Sequence, residues 1–176
     1  MADDTKDPWL NLLALTTVIF AVCATLTTSK GGGFSTKTQL NQAMASDEWA
    51  HYQAKGIKGN LYEVEAMRLK REIELAPKAS LPVLQKSLAD VEKKVVKYDG
   101  EKVDISKKAT AFEEAKADAQ KHGAPFGLAL IFLQIAILLS TIAALLKKQP
   151  VYWAGLAVGA VGLVVFLDGF YLFYPV

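Results

Sequence analysis

Residues 84–119 read LQKSLADVEKKVVKYDGEKVDISKKATAFEEAKADA, and this stretch decides the fold class. Apolar or aromatic side chains recur in it at alternating steps of four and three residues over five repeats, which is the heptad pattern of a coiled coil. Lys102 and Lys116 are the two exceptions among the eleven positions. The positions are Leu84, Leu88, Val91, Val95, Tyr98, Lys102, Ile105, Ala109, Phe112, Lys116 and Ala119.

A second helical arm precedes this seam, and the two arms match in length. The arm runs from about Ser35 to Ala76, and its apolar positions have helical spacing with a shift in phase near Gly56 and Gly59. These positions are Leu40, Ala43, Met44, Ala50, Ala54, Ile57, Leu61 and Val64, followed by Tyr62, Ala66, Leu69, Ile73 and Ala76. Between the arms, residues 76–82 contain two prolines, which end a helix and predict a turn. With arms at 36–76 and 82–122, the pattern predicts an antiparallel helical hairpin.

Three segments without Asp, Glu, Lys or Arg flank these arms: 8–29, 125–146 and 151–167. A helix of about 22 residues covers roughly 33 Å, enough for the hydrocarbon core of a bilayer. Residues 30–124, by contrast, hold 17 of the 20 basic and 14 of the 18 acidic residues. The sequence therefore predicts an all-α fold with three transmembrane helices and a long extramembrane antiparallel, coiled-coil-like helical hairpin between the first and second.

The expected organisation has three parts. Residues 1–33 are a tail, transmembrane helix 1 and a joint at Gly31–Gly33, where three glycines are expected to end the helix. Residues 34–122 are the extramembrane hairpin. Residues 123–176 are a transmembrane hairpin, whose second span starts at Pro125 and whose third runs from Val151 to about Tyr174.

The short loop Lys147–Pro150 predicts the orientation in the membrane. Two lysines in a four-residue loop favour the cytoplasmic side, whereas a long insert contributes little to the positive-inside rule. We therefore predict a multi-pass protein of the bacterial inner membrane, with a cytoplasmic N-terminus and an extracytoplasmic hairpin. Lysines on the insert side oppose this orientation: Lys30, Lys37, Lys116 and Lys121.

Charge and residue counts argue against several classes of function. The net charge is +2 and its signs are mixed, whereas a nucleic-acid surface needs a clustered basic stripe. The single cysteine, Cys23, excludes an intramolecular disulfide, and His51 and His122 have no metal-ligand spacing. We predict no catalytic residues, no metal or cofactor and no nucleic-acid partner, so the protein is not expected to be an enzyme.

Polar and small residues within the spans are further candidates. Asp168 is expected near an interface, held by water or a basic residue, and Gln134 at mid-span packs between helices; each alternatively lines a pathway for ions or protons. Three glycines form a small-residue stripe that serves either self-association or packing within the chain. They are Gly155, Gly159 and Gly162.

The richest cluster of polar and aromatic residues lies in arm one. Trp49, Tyr52 and Lys55 share one helix face, and His51 stands one turn before Lys55. A ligand or partner site favours such a mixture, but Trp and Tyr at helical spacing also serve as packing residues. These four residues are the candidate interaction face.

The stretch around this face, QAMASDEWAHYQAKGIK at residues 42–58, resembles a small family of bacterial membrane proteins, domain-of-unknown-function family 4337. Members typically show ASD-x-W-A-x-Y-Q-A-K-S-I-K here, with Gly56 replacing the usual Ser in this chain. They also carry a span before the motif and a glutamine-containing double span after it, as in FLQIA at 132–136. The resemblance implies a bacterial membrane location and no particular activity.

Two functions follow as hypotheses. The first is a non-enzymatic, homo-oligomeric integral membrane protein that acts as a scaffold or partner-binding module, because a two-helix hairpin hides each seam only partly. Its expected partners are the lipid bilayer, further copies of the chain, and an unidentified membrane or envelope protein. The alternative is a subunit of an ion or small-solute channel or transport assembly.

Overall fold

A computed structural model describes residues 8–171, and all of its regular structure is helical. Three helices follow one another: α1 spans Pro8–Leu75, α2 spans Leu81–Leu146 and α3 spans Gln149–Tyr171. The predicted all-α class is confirmed, whereas the predicted end of the third span near Tyr174 lies outside the described residues.

The expected separate hairpin between the first and second spans is wrong. Each predicted arm is one part of a long helix, because α1 and α2 run without a break through the segments predicted as span and arm. The glycine joint at Gly31–Gly33 is helical, and Pro125, the expected start of the second span, lies inside α2. Glycine and proline disfavour a helix by local propensity, and tertiary packing overrides that propensity here.

The turn between the two long helices is where the prolines predict it. The Ser80 amide donates to the carbonyl of Pro77 at 2.9 Å, and the Leu84 amide donates to the Ser80 carbonyl at 3.2 Å as α2 begins. The second turn is equally short. Lys147 adopts a left-handed conformation with φ of 50°, and the Lys148 amide donates to the Ala143 carbonyl at 3.2 Å, which closes the end of α2 as in a Schellman motif.

The chain divides into two compact units. The charged unit consists of residues Leu40–Ala115, and the apolar unit consists of the described residues up to Gln39 and from Lys116 onward. In each unit α1 and α2 pack antiparallel, and in the apolar unit α3 packs beside both.

In the apolar unit, small clusters of buried side chains join the three helices. Phe20 of α1 packs with Leu133 and Ala136 of α2, while Leu13, Ala143 and Tyr152 bring all three helices together. Threonine hydroxyls in the first span donate to backbone carbonyls three or four residues earlier, so that they need no water. These threonines are Thr16, Thr17, Thr25, Thr27 and Thr28.

The outer surface of the apolar unit is itself apolar. Within residues 8–29, 125–146 and 151–167, most of the large exposed side chains are aliphatic, among them Leu15, Val18, Val22, Ile131, Leu138 and Val164. All three helices are long and apolar enough to cross a membrane, judged by length and composition. A surface of this kind suits lipid contact rather than water.

In the charged unit, the α2 positions predicted to face a partner helix do so, whereas the α1 prediction was right for Tyr62, Ala66, Leu69 and Ile73 and wrong for the first part of the arm. Most of the α1 residues that are buried or half-buried keep a single 4,3 phase, with no shift at Gly59. This row consists of Asn41, Ala45, Glu48, Tyr52, Lys55, Gly59, Tyr62, Ala66, Leu69 and Ile73, and the half-buried Trp49, Gly56 and Glu65 lie directly beside it. Leu40, Ile57, Leu61 and Val64, expected in the seam, lie exposed instead.

Candidate functional site: the signature face of α1

The signature face of α1, comprising Trp49, His51, Tyr52 and Lys55, lies within the charged unit, and three of its four side chains turn towards α2. Trp49 Nε1 donates a hydrogen bond to Glu113 Oε1 at 2.9 Å. The indole also meets the Tyr52 ring edge-to-face at 5.5 Å between centroids. Trp49 lies on α1 and Glu113 on α2, so this hydrogen bond helps to set the position of α1 along α2.

An ion pair continues the contact nearly two turns of α1 further along the unit. Lys55 Nζ lies 2.6 Å from Glu101 Oε2, and both side chains are about a quarter to a third exposed. The hydrogen bond from Lys55 lowers the pKa of Glu101 below its ordinary value, and the same bond raises the pKa of Lys55. The pair therefore favours the charged form of both groups.

Cations lie over aromatic rings throughout this seam. Lys55 Nζ is 5.5 Å from the centre of the Tyr98 ring, and Lys102 Nζ is 5.5 Å from that of Tyr52. Tyr62 and Tyr98 stack with 5.6 Å between centroids, and Lys94 lies over Tyr62 at 4.9 Å. Such cation–π contacts contribute about 0.5–1 kcal/mol each at exposed sites. The polar seam thus holds the helices together where aliphatic packing is sparse.

His51 is the one member of the face that points outward. Its side chain is 54% exposed, and Nδ1 lies 3.9 Å from Glu48 Oε2 on the same helix. The structure therefore does not bring the four predicted side chains together on one exposed surface. Trp49, Tyr52 and Lys55 contact side chains of α2. Recognition of a partner by this face stays a prediction.

Several α2 residues of this seam were not singled out from the sequence. Glu101 and Glu113 belong to it, and both flank heptad positions, where charged residues commonly pair across coiled-coil helices. A glutamate next to a seam position was the sequence signal that could have identified these two residues as partners of α1. Their partners on α1 could not be identified without the correct phase of α1.

The two polar candidates in the spans occupy different environments. Gln134 is exposed on the surface of the apolar unit, whereas Asp168 is 8% exposed and lies inside it. The two side chains therefore do not line one common surface within a single chain.

The predicted glycine stripe of α3 is buried within the chain. A Cβ at Gly162 would lie 3.1 Å from Leu133 Cγ, and one at Gly155 would lie 3.1 Å from Leu139 Cβ. At Gly159 a Cβ would come within 3.0 Å of three ring atoms of Phe20. The stripe is thus where α3 meets α1 and α2, and self-association through it has no free surface.

Among residues 8–171, no group of three or more His, Cys, Asp and Glu side chains is placed to hold a metal ion. The fold and the seam instead define a class: all-α chains with three candidate membrane-spanning helices, two of which extend into a polar-seamed antiparallel pair. Over residues 9–172 the sequence matches the family described as Domain of unknown function (DUF4337). The chain belongs to this family. Comparisons with curated proteins and with solved structures found no match.

Proposed function

We propose that the chain is a non-enzymatic, homo-oligomeric integral membrane protein that acts as a scaffold or partner-binding module. The observation that carries this proposal is a contrast between the outer faces of α1 and α2 in the charged unit, meaning the faces that point away from the partner helix.

The outer face of α1 is apolar at successive helical turns. Ile57, Leu61 and Val64 are 63%, 65% and 60% exposed, and Ala50 and Ala54 extend the same face by two turns. The outer face of α2 is charged and solvated, with exposed Lys86, Asp90, Lys93, Asp104 and Lys107. Fully burying one aliphatic side chain contributes about 1.5–3 kcal/mol, so a neighbour that covers the α1 face is stabilising.

The apolar unit supports insertion in a bilayer, because it exposes aliphatic side chains and the threonine hydroxyls of its first span donate to carbonyls of their own helix. Confinement of all copies to one membrane also raises their effective concentration, which favours contacts that are weak in solution. A scaffold role fits a chain whose two long helices are joined by ion pairs, Lys55–Glu101 and Lys70–Glu92.

The test is the mass of the full chain in nanodiscs. We expect a multiple of 19.1 kDa for the wild type and a smaller assembly for Leu61→Glu, which places a charge on the apolar face. Ala111→Glu makes the same kind of change at an exposed position of α2 and should leave the mass unchanged. A wild-type chain that is monomeric in nanodiscs would contradict the proposal.

We also propose the bacterial inner membrane as the location, with the N-terminus and Lys147–Lys148 in the cytoplasm and the charged unit outside. In a Cys23→Ser background, an impermeant thiol reagent applied to intact cells should label Ala111→Cys and not Gln149→Cys. Labelling of Gln149→Cys alone would reverse the orientation.

A second candidate function, a channel or transport subunit, draws on Gln134. This polar side chain is exposed on the charge-free part of α2, where copies could place it around a common axis. Buried Asp168 would stand outside such an axis. Ion flux through proteoliposomes that is lost in Gln134→Leu, at unchanged oligomeric mass, would favour this function; an absence of wild-type flux would count against it.

A further inference from the structure

We infer that the apolar unit binds an anionic phospholipid, with the headgroup phosphate at Lys147 and Lys148 and one acyl chain in a groove between α1 and α3. The inference rests on the proposed insertion in a bilayer and does not depend on self-association. The groove has a volume of about 190 Å³ and is lined by Thr16, Ile19, Phe20, Leu156, Ala160 and Leu163. Its one hydroxyl, that of Thr16, donates to carbonyls of its own helix, so the groove offers an apolar wall.

Both helices of the groove start at the end of the apolar unit that carries the Lys147–Lys148 loop. The rings of Trp9 on α1 and Tyr152 on α3 lie 6.3 Å apart, and further along both helices Phe20 packs against Gly159. The two helices are therefore parallel. Trp153, which is 56% exposed, lies beside Tyr152. Because tryptophan and tyrosine prefer the membrane interface, these rings mark the level of the lipid headgroups.

The groove has the depth of one leaflet. Leu156 and Leu163 follow Trp153 by three and ten residues, which places them roughly 5 and 15 Å deeper along α3. The hydrocarbon of one leaflet is about 15 Å thick, half that of the bilayer. A groove that begins just below the aromatic rings and ends at mid-bilayer matches the course of one acyl chain.

The loop above the groove supplies unpaired positive charge. Lys147 and Lys148 are exposed, and neither side chain has a hydrogen bond or ion pair within residues 8–171. They are also the only charged residues within 8–29 and 125–167. Lys148 precedes Trp153 by five residues, so the two lysines stand outside the level of the aromatic rings. Lysines at this height attract anionic headgroups.

The shape of the groove favours an acyl chain over a second helix. Over a length of roughly 10 Å, its volume leaves a slot much narrower than an α-helix, which is about 10–12 Å across with its side chains. Ile19 is 46% exposed and Ala160 is exposed, so the slot opens outward. An unfilled slot would lose dispersion contacts, and a flexible chain of methylene groups restores them.

The experiment is native mass spectrometry of the full chain, freed of lipid in a neutral detergent, with phosphatidylglycerol and phosphatidylethanolamine added at equal concentration. We expect phosphatidylglycerol to be retained in preference. Lys147→Gln with Lys148→Gln should weaken its binding about 30-fold, from the contribution of two lysines near an anionic lipid surface. Lys107→Gln with Lys108→Gln is the matched control, because it removes an adjacent exposed pair from the charged unit and should leave binding unchanged.

A second pair of variants tests the groove. Ala160→Phe should fill the slot and reduce the retained fraction of both lipids. Ala154→Phe adds the same ring at an exposed position on another side of α3 and should leave lipid binding as in the wild type. Circular dichroism checks that each variant keeps its helices.

The other outcomes separate this inference from the proposed function. Equal retention of the two lipids, or phosphatidylglycerol binding that survives the replacement of Lys147 and Lys148, overturns the inference. Unchanged lipid binding in Ala160→Phe together with a changed oligomeric mass places another copy in the groove and also overturns it. A monomeric wild type that retains phosphatidylglycerol supports the lipid site and contradicts self-association alone.

Discussion

Gly31 of α1 and Phe126 of α2 approach so closely that a Cβ at position 31 would lie 3.1 Å from Phe126 Cβ. The relationship is reciprocal, because a Cβ at Gly123 would lie 3.1 Å from Phe34 Cβ, and the Phe34 and Phe126 rings stack at 5.9 Å. The expected glycine joint is thus a site of close helix contact, where packing offsets a propensity cost of about 1 kcal/mol per glycine.

Gly31→Ala should lower the thermal stability of the protein. The added methyl group forces α1 and α2 apart, and overpacking of this kind costs about 1–3 kcal/mol, which exceeds or cancels the gain in helix propensity. Gly32→Ala is the control, because a Cβ there meets nothing within 4 Å and should raise stability. Thermal unfolding in detergent, followed by circular dichroism, measures both; equal stability of the two variants would contradict the close contact.

Gly159 and Phe20 should be energetically coupled. Gly159→Ala is expected to destabilise the protein by about 1–3 kcal/mol, because the methyl group collides with the Phe20 ring. Phe20→Leu removes the ring edge and should recover part of that loss in the double variant, a coupling of about 0.5–3 kcal/mol. Gly127→Ala, in open space on α2, is the control. Additive effects in the cycle would exclude the contact.

The Lys55–Glu101 ion pair should make the stability of the charged unit depend on pH. The pKa of Glu101 is lowered in the folded protein, so its contribution is present above the ordinary value of 4.5 and is lost as pH falls from there through the lowered pKa. The pKa of Lys55 is raised, so its contribution is present below 10.5 and is lost as pH rises through the raised pKa.

Glu101→Gln should accordingly lower the unfolding temperature at neutral pH, and its difference from the wild type should shrink on acidification below pH 4.5. Glu114→Gln, an exposed change on the same helix, should show no such convergence. A wild-type to Glu101→Gln difference that stays constant from neutral to acidic pH would show that the pair contributes nothing to stability.

Lys147→Gly should stabilise the turn between α2 and α3. The left-handed conformation of Lys147 costs roughly 1–2 kcal/mol for a residue with a Cβ and little for glycine, so a net gain of about 1 kcal/mol is expected after the entropy of glycine is counted. Lys148→Gly changes a neighbour without that conformation and should not be stabilising. Thermal unfolding measures both variants, and a Lys147→Gly variant that is no more stable than the wild type would contradict the expected gain.

Much of the molecule follows from local patterns. The α2 seam, the proline turn, the tight Lys147–Lys148 connection and three charge-free spans were all predicted, because each depends on periodicity or on residues that act on their own backbone. The interaction face was predicted as a set of residues, but the exposure of His51 and the partial burial of Tyr52 against α2 needed the correct phase of α1.

That phase was ambiguous because α1 carries two rows of residues at heptad spacing. Ile57, Leu61 and Val64 form the more apolar row, yet the row of Lys55, Gly59 and Tyr62 faces α2. Gly59 lets Tyr98 approach, with 3.6 Å between a Cβ there and Tyr98 Cβ, and the Glu101 carboxylate pairs with the charged Lys55. Apolarity alone ranks these rows in the wrong order.

Hydrophobic length, periodicity and motif are properties of the chain alone, and they establish the helical class, the positions of the turns, the family and the segments able to cross a membrane. Packing between helices, in contrast, makes Gly31–Gly33 continue a helix, buries the α3 glycines within the chain and leaves one face of α1 open. These outcomes depend on how closely two surfaces approach, and the partner's side chains set that distance as much as the residue itself does.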